Sequence, residues 1–471
     1  MFARPLDLHS KSPRYLFKIY LSLIFWLPIP LGSNRAWAWS IMEIWIFAIC
    51  LIWLYLHIAK KLPVSPAFKK CLPIIIIWSI WFVVSTIQFI QLPSELVAFL
   101  SPNIAAIYQS SEAWGEVTSF PLSVTPYASR VEWLKGLSYL LIFIMTLLLV
   151  ESRNRLRKLA WAMVITASLQ AVIGILFLFS DTIFGQLFSS PHSPPGAASG
   201  TFINRNHFAN FLVMNLAVGT GLLISGVKDE HRKLSFKALL TSFLKLFFSY
   251  KAPLRILLVI IVIGVILSRS RMGNTSLLLS LSIAGMFALY SFKVKRRTMA
   301  LLLISFLVVD LFFIGKWVGL EKVVERIEQT QITQTMRLPI FQDSLKMVGD
   351  HWLFGAGMGS FPTLFPRYKS FEVAVSFSHA DNDYIEIMAE TGVLGLLFLG
   401  VPALISLFMG FKVLLNSKDP LFKGFSFASI MGVIAMLIHA LTDFNLHIPA
   451  NAAIFMILLA FPWILQGETR G

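Results

Sequence analysis

Long, nearly unbroken apolar runs separated by short polar breaks dominate this chain. A helix needs about 20 mostly apolar residues to cross a bilayer. Runs of that kind lie near 16–32, 38–58, 72–91, 133–150, 158–179, 207–225, 255–268, 275–292, 298–317, 391–411, 424–442 and 449–465, the seventh being short. Backbone inside hydrocarbon must satisfy its own hydrogen bonds, so the runs predict helices and not open strands. They are also too long and too continuous for barrel strands. No small-residue cleavage site follows the first run, which therefore reads as a retained anchor. The expected fold is an all-α polytopic membrane protein of about twelve transmembrane helices, a single integral domain over 1–471 without internal repeats.

Composition narrows this further. Apolar residues make up 56% of the chain and charged residues 14%, with a mean hydropathy of +0.74. A water-soluble chain could not hide that much apolar surface. The two cysteines, Cys50 and Cys71, give neither a disulfide framework nor metal-ligand spacing. The net charge of +16 would suit nucleic acid, but its distribution explains it otherwise. With the N-terminus inside, the short inner loops and the termini collect 27 of the 40 basic residues, including Lys60–Lys61, Lys69–Lys70, Arg153–Lys158 and Lys293–Arg297. The longer outer loops hold the remaining 13. This is the positive-inside pattern, with both termini cytoplasmic. Some of these cations face anionic lipid headgroups in this reading, and no nucleic-acid partner is needed.

The outer side carries loops at about 92–130, 180–206 and 318–390, the last lying between the ninth and tenth helices. Loops of that length are usually functional or disordered. In the longest, Leu338, Phe341, Leu345 and Val348 are spaced as one face of a helix. Gly355-Ala-Gly357-Met-Gly359 then breaks it and reads as a flexible turn. No strand precedes that run and no Gly-Lys-Ser/Thr follows, so it is not a phosphate loop.

Candidate chemistry gathers at the outer edge. Arg205 precedes the sixth run, and Arg269 and Arg271 lie in a turn so short that both sit near the outer interface. A guanidinium is a planar fork of donors suited to a diphosphate. Each arginine could equally snorkel to headgroups. In Ser378-His-Ala-Asp-Asn-Asp-Tyr384, a loop becomes a helix. His379 can take a proton from a hydroxyl, and Asp381 can orient it or replace it. Asp381 or Asn382 can instead simply cap the helix. His207, His439, Asp443 and His447 lie toward the same side. Glu43 and Asp310 fall inside apolar runs, where an acid is costly unless functional or paired, for example with an outer arginine. No His/Cys/Asp cluster shows a metal spacing.

These residues carry a resemblance. The stretch from Arg337 through Trp352-Leu-Phe-Gly-Ala-Gly-Met-Gly-Ser-Phe361, then His379-Ala-Asp-Asn-Asp-Tyr-Ile-Glu-Ile-Met-Ala-Glu-Thr-Gly-Val-Leu-Gly395, resembles the O-antigen ligase family. Its superfamily includes O-antigen polymerases and bacterial protein O-oligosaccharyltransferases. Gly200-Thr-Phe-Ile-Asn-Arg-Asn-His-Phe-Ala209 and Ser270-Arg271 are similar to two further landmarks, and the likeness is good over about 200–445. In many relatives a histidine directly precedes Asn with Gly eleven positions on. Asp381 occupies that position here, with Asn382 and Gly392 following, and His379 stands two residues earlier.

The resemblance implies glycan transfer from a polyprenyl (undecaprenyl) diphosphate carrier to an acceptor hydroxyl, at the periplasmic face of a bacterial inner membrane, without metal or nucleotide cofactor. The acceptor would be lipid A-core, a growing glycan or a protein hydroxyl. Arg205 and Arg271 would grip the diphosphate, with Arg269 and Arg337 beside them. His379 would be the base with Asp381 as partner or substitute, supported by Asn382, Tyr384 and His207. The competing reading is a transporter or flippase of lipid-linked glycan or a small anion, which would place its ionisable residues nearer the midplane. A noncatalytic scaffold is a third.

Overall fold

In the computed structural model, residues 11–110, 118–179, 196–226, 252–291, 339–370 and 377–468 are described. The apolar runs fold as helices whose caps stand beside them in sequence. Ser65 accepts from Phe68 N–H at the start of α3 (Pro66–Val84), and Ser152 from Arg155 N–H at the start of α7 (Arg153–Leu178). Asn204 and Asp419 do the same for α8 (Arg205–Ser225) and α13 (Pro420–His439). These caps satisfy helix-start N–H groups that have no partner within the helix.

Among the described residues, nine helices are long and apolar enough to cross a membrane. They are α2 (Ala36–Ile58), α3, α6 (Pro126–Leu149), α7, α8, α10 (Arg271–Ser291), α12 (Asp383–Asn416), α13 and α14 (Pro449–Glu468). The shorter α1 (Lys11–Trp26) and α9 (Ala252–Leu267) pack into the same bundle. The chain is thus an all-α, multi-pass membrane protein. The apolar run at 298–317, with Asp310, lies outside the described residues.

The bundle is built around α8, which is buried almost throughout. Its closest partner is α13. A Cβ on Gly221 or Gly424 would lie 2.3 Å from the other residue's carbonyl oxygen, so the two backbones touch. Small residues permit this approach between membrane helices. By contrast α2 buries little of its surface. Its Glu43 has a buried, unpartnered Oε1 and feels the charges of Lys135 and Glu132 on α6. Lys135 pairs with Glu132 and lies 4.5 Å from the Trp39 ring centroid. The cation near Glu43 is therefore a lysine, where the sequence suggested an arginine.

One end of the bundle carries a cap with its own apolar core. It contains α4 (Ser94–Leu100), α5 (Pro102–Gln109), the helix α11 at 339–350, and a single turn at Phe361–Leu364. A two-stranded antiparallel sheet pairs β1 (Leu92–Pro93) with β2 (Ser119–Phe120), in register Leu92 to Phe120. Val97, Ile104, Phe120, Met347, Phe361 and Phe365 fill this second core.

The helix in the longest loop is present, but only part of its predicted stripe faces inward: Val348 packs on the cap core. Phe341 and Leu345 are exposed, while Ile340, Asp343, Ser344 and Met347 are buried; Leu338 lies outside the described residues. Spacing identifies a helical stripe but not the side on which a core lies. Asp343 tolerates burial because it binds Lys346 Nζ at 2.8 Å and accepts from Ser370 N–H at 2.8 Å.

The glycine-rich stretch also differs from expectation. It is a fixed crossing, not a flexible turn. Helix α12 breaks at Gly392, with φ +68° and ψ −175°, a conformation open essentially to glycine alone. The break frees the carbonyls of Ala389 and Glu390, and these accept from Ala356 and Gly357 N–H, each at 2.9 Å. Val393 N–H donates to Trp352 O at 2.7 Å. Gln88 completes the crossing, donating to the Phe354 and Glu390 carbonyls at 3.0 Å and accepting from Met358 N–H.

Candidate active site

The cap end of α12 is tied down by its first residues. Asn382 is the helix cap, accepting from Tyr384 and Ile385 N–H, while Asp381 just before it takes a left-handed φ of +50°. Asp383 N–H donates to Ala440 O, and Asn382 Nδ2 to Leu441 O, both at 2.9 Å. Tyr384 donates its hydroxyl proton to Leu437 O at 2.9 Å. Three contacts thus dock the start of α12 onto the end of α13 and the loop after it.

From there α12 presents Asp383, Glu386 and Glu390 on one face, all buried. His379 Nδ1–H donates to Glu386 Oε1 at 2.7 Å, and Ala380 N–H to Glu386 Oε2 at 2.8 Å. Glu386 is thus a carboxylate on His379 that the sequence reading, which offered Asp381 as partner or substitute, did not name. An ionised carboxylate only accepts, so the proton sits on Nδ1 and the Nε2 lone pair is free. The His379 ring stacks on Phe444, with centroids 3.9 Å apart.

Phe444 joins this dyad to a second one. Its other neighbour is His207, centroid to centroid 4.6 Å, one turn into α8. His207 Nε2 binds Asp443 Oδ1 at 3.0 Å, and both side chains are buried. Burial alone would raise the Asp443 pKa. The His207 charge and hydrogen bond, with His439 and the Phe444 N–H, instead hold it well below the usual carboxylate range. Asn451 Nδ2 donates to the His207 carbonyl at 3.0 Å, anchoring α8 to α14. His439 is fully buried, and neither ring nitrogen has a hydrogen-bond partner.

His447 closes the cluster. Its Nδ1 donates to Asp383 Oδ1 at 2.9 Å, and its Nε2 lies 3.5 Å from Glu386 Oε1. Leu446 N–H holds the other Asp383 oxygen. Burial opposes a charge on His447, but Glu386, Asp383 and Glu390 outweigh it and push its pKa up to about 10. A folded-state pKa raised above the free value of 6.5 stabilises the fold fully below 6.5, and that contribution fades as pH rises through about 10. Thermal stability in detergent should fall between pH 7 and 10, and His447→Gln should be less stable at pH 7 with a flatter pH profile. An unchanged profile in His447→Gln would contradict the pairing.

The arginines stand at helix starts on the same end. Arg205 is the first residue of α8 and Arg271 the first of α10. A Cβ on Gly273 would meet Ala209 Cβ at 2.6 Å, so the two helix starts are side by side. Arg269, at φ +52°, lays its guanidinium against Gly196. Ala198 N–H donates to Leu267 O at 2.9 Å, which fixes the preceding loop over this turn. Adjacent helix starts each add partial positive charge to that of their arginine. Arg337 lies outside the described residues.

Sequence reasoning named His379, His207 and the arginines but did not assemble Asp383, Glu386 and His447. Part of the signal was there, since 383, 386 and 390 follow helical spacing. A metal spacing was also absent from the sequence, yet one ligand atom each from His379, Glu386 and His447 lies within 4.8 Å of the others. The long separation of His447 from the other two hid that trio.

Fold and site together define a multi-pass membrane protein with a buried acid–base cluster and arginine-bearing helix starts beneath a helical cap. Residues 256–400, less than half of the chain, match the family described as O-antigen ligase. The matched stretch includes Arg269, Arg271 and the 379–390 segment, and leaves Arg205, His207, Asp443 and His447 outside. No curated protein matches the chain.

Proposed function

We propose that this protein transfers a glycan from polyprenyl (undecaprenyl) diphosphate to an acceptor hydroxyl, as an O-antigen ligase or polysaccharide polymerase at the periplasmic face of a bacterial inner membrane. The family match supports glycosyl transfer of the ligase or polymerase type in general. The observation that carries the finer reading is the His379–Glu386 dyad, at the same end of the bundle as the paired helix starts of Arg205 and Arg271.

In this scheme His379 Nε2 takes the acceptor O–H proton while the oxygen bonds to the anomeric carbon. The carbon–oxygen bond to the diphosphate breaks, and the leaving diphosphate keeps the electron pair. Arg205, Arg271 and the two helix starts stabilise the growing charge, with Arg269 and Arg337 as further contacts. Glu386 stabilises the imidazolium that forms on His379. Asp381, Asn382, Tyr384 and His207 shape the surrounding walls. The arginines supply the positive charge, so the scheme requires no metal. A single displacement inverts the anomeric configuration.

The test is transfer by purified protein from polyprenyl-diphosphate oligosaccharide to lipid A-core, free repeat unit or peptide, with chelator present. Wild type should transfer, and Arg271→Ala should be slower by about 10²–10³. A retained configuration in the product would overturn the single displacement. Absence of transfer to every acceptor by folded protein would move the reading to a lipid-linked glycan flippase, assayed by reconstituted flipping.

A further inference from the structure

We propose that His379, Glu386 and His447 form a binding site for a borderline divalent cation such as Zn²⁺, and that its occupancy switches off the base. Two histidines and one carboxylate are a common zinc donor set. Tetrahedral bonds of about 2.0–2.1 Å place ligand atoms about 3.3 Å apart. Here Glu386 Oε1 lies 2.7 Å from His379 Nδ1 and 3.5 Å from His447 Nε2, and the donor atoms of the trio fall within 4.8 Å of one another. Small side-chain adjustments close the set around an ion.

The surroundings supply the independent argument. Metal-binding histidines usually donate their other ring N–H to a carboxylate, which fixes tautomer and ring orientation. His447 does this: Nδ1 donates to Asp383, which is fully buried and held by Leu446 N–H, leaving Nε2 aimed at Glu386. The second Glu386 oxygen is likewise held, by Ala380 N–H. Asp383 and Glu386 put two buried carboxylates against His447, a concentration of negative charge that suits a divalent cation. His379 is partly exposed, giving the ion a way in.

The consequence rests on the reading of His379 as base. With Glu386 accepting from Nδ1–H, the Nε2 lone pair is free to take a proton. A cation on Nδ1 occupies that nitrogen's lone pair, so the ring's proton must move to Nε2. His379 then presents a donor where it presented an acceptor, and transfer stops.

The probe is Co²⁺ added to untagged, chelator-treated protein in detergent, followed by its visible d–d absorption. One equivalent should give an intense tetrahedral-type band that Zn²⁺ displaces. His447→Gln should lose the band, and His379→Gln serves as the second variant should the first misfold. In parallel, ¹⁵N-histidine spectra should show Nε2 of one histidine gaining a proton on Zn²⁺ addition, and Zn²⁺ should lower wild-type transfer to the rate of His379→Ala. No stoichiometric band, a band that survives in both variants, or an unchanged ¹⁵N spectrum at full occupancy would each overturn the proposal. Band and spectrum need no turnover, so failure of the site and failure of the transfer reading are told apart.

Discussion

Replacing His379 by Ala should lower glycan transfer by about 10²–10⁴-fold while the protein keeps its melting temperature and its donor KM, because a positioned general base contributes in that range. The side chain is partly exposed, stacks on Phe444 and lies beside the His447 ring, so its loss removes little apolar core and leaves Glu386 held by Ala380 N–H. Glu386→Gln should act through the histidine. Its amide can donate to Nδ1 and hold the wrong tautomer, which lowers kcat and leaves donor affinity alone. Arg271→Ala should raise KM as well as lower kcat, since the diphosphate is charged before it leaves. Equal rates in His379→Ala and wild type, on protein of unchanged stability, would remove His379 from the chemistry and turn attention to Asp381.

Gly392→Ala should be among the most damaging single-methyl changes in the described residues. Its φ of +68° with ψ −175° costs an alanine roughly 1–3 kcal/mol in strain. The added Cβ would also sit 2.1 Å from Leu353 O, a backbone atom that cannot swing away. Relief requires α12 or the Gly355–Gly357 crossing to shift, and the crossing carries the hydrogen bonds that satisfy the break. Gly400→Ala is the matched control. It lies eight residues further along the same helix with nothing within 4 Å of its Cβ, and removing a helical glycine should stabilise by about 0.4–1 kcal/mol. Thermal unfolding of the two variants in detergent checks the contrast, and similar melting temperatures would show that the break at Gly392 is not a required feature.

The spanning helices were legible because continuous apolar runs of membrane length have few alternative folds. The cap was only partly legible. Its small sheet rests on two-residue strands at 92–93 and 119–120, too short to leave an alternating pattern. Its helix at 339–350 turns Phe341 and Leu345 outward and Val348 inward, while a paired Asp343 takes a buried position. At the site, His379 stood out by its position at a loop-to-helix junction. Its partner did not, since both Asp381 and Glu386 are in reach on spacing alone. Asp381 takes a left-handed backbone conformation, which no local pattern announced. His447 was out of reach for another reason: it arrives through the docking of the 440–447 loop onto α12, a tertiary event.

That docking and the glycine crossing lie at the two ends of the same ten-residue stretch of α12, Asp383 to Gly392. Between them the acidic face from Asp383 to Glu390 is sealed at its deep end by backbone amides. In a bilayer this makes the crossing a gasket. A helix changes direction there with its freed carbonyls satisfied, and the partly exposed side chains on the carboxylates are His379 and His447. The acid–base cluster is therefore closed at one end and met by solvent at the histidines, which is where the proposed acceptor hydroxyl would arrive.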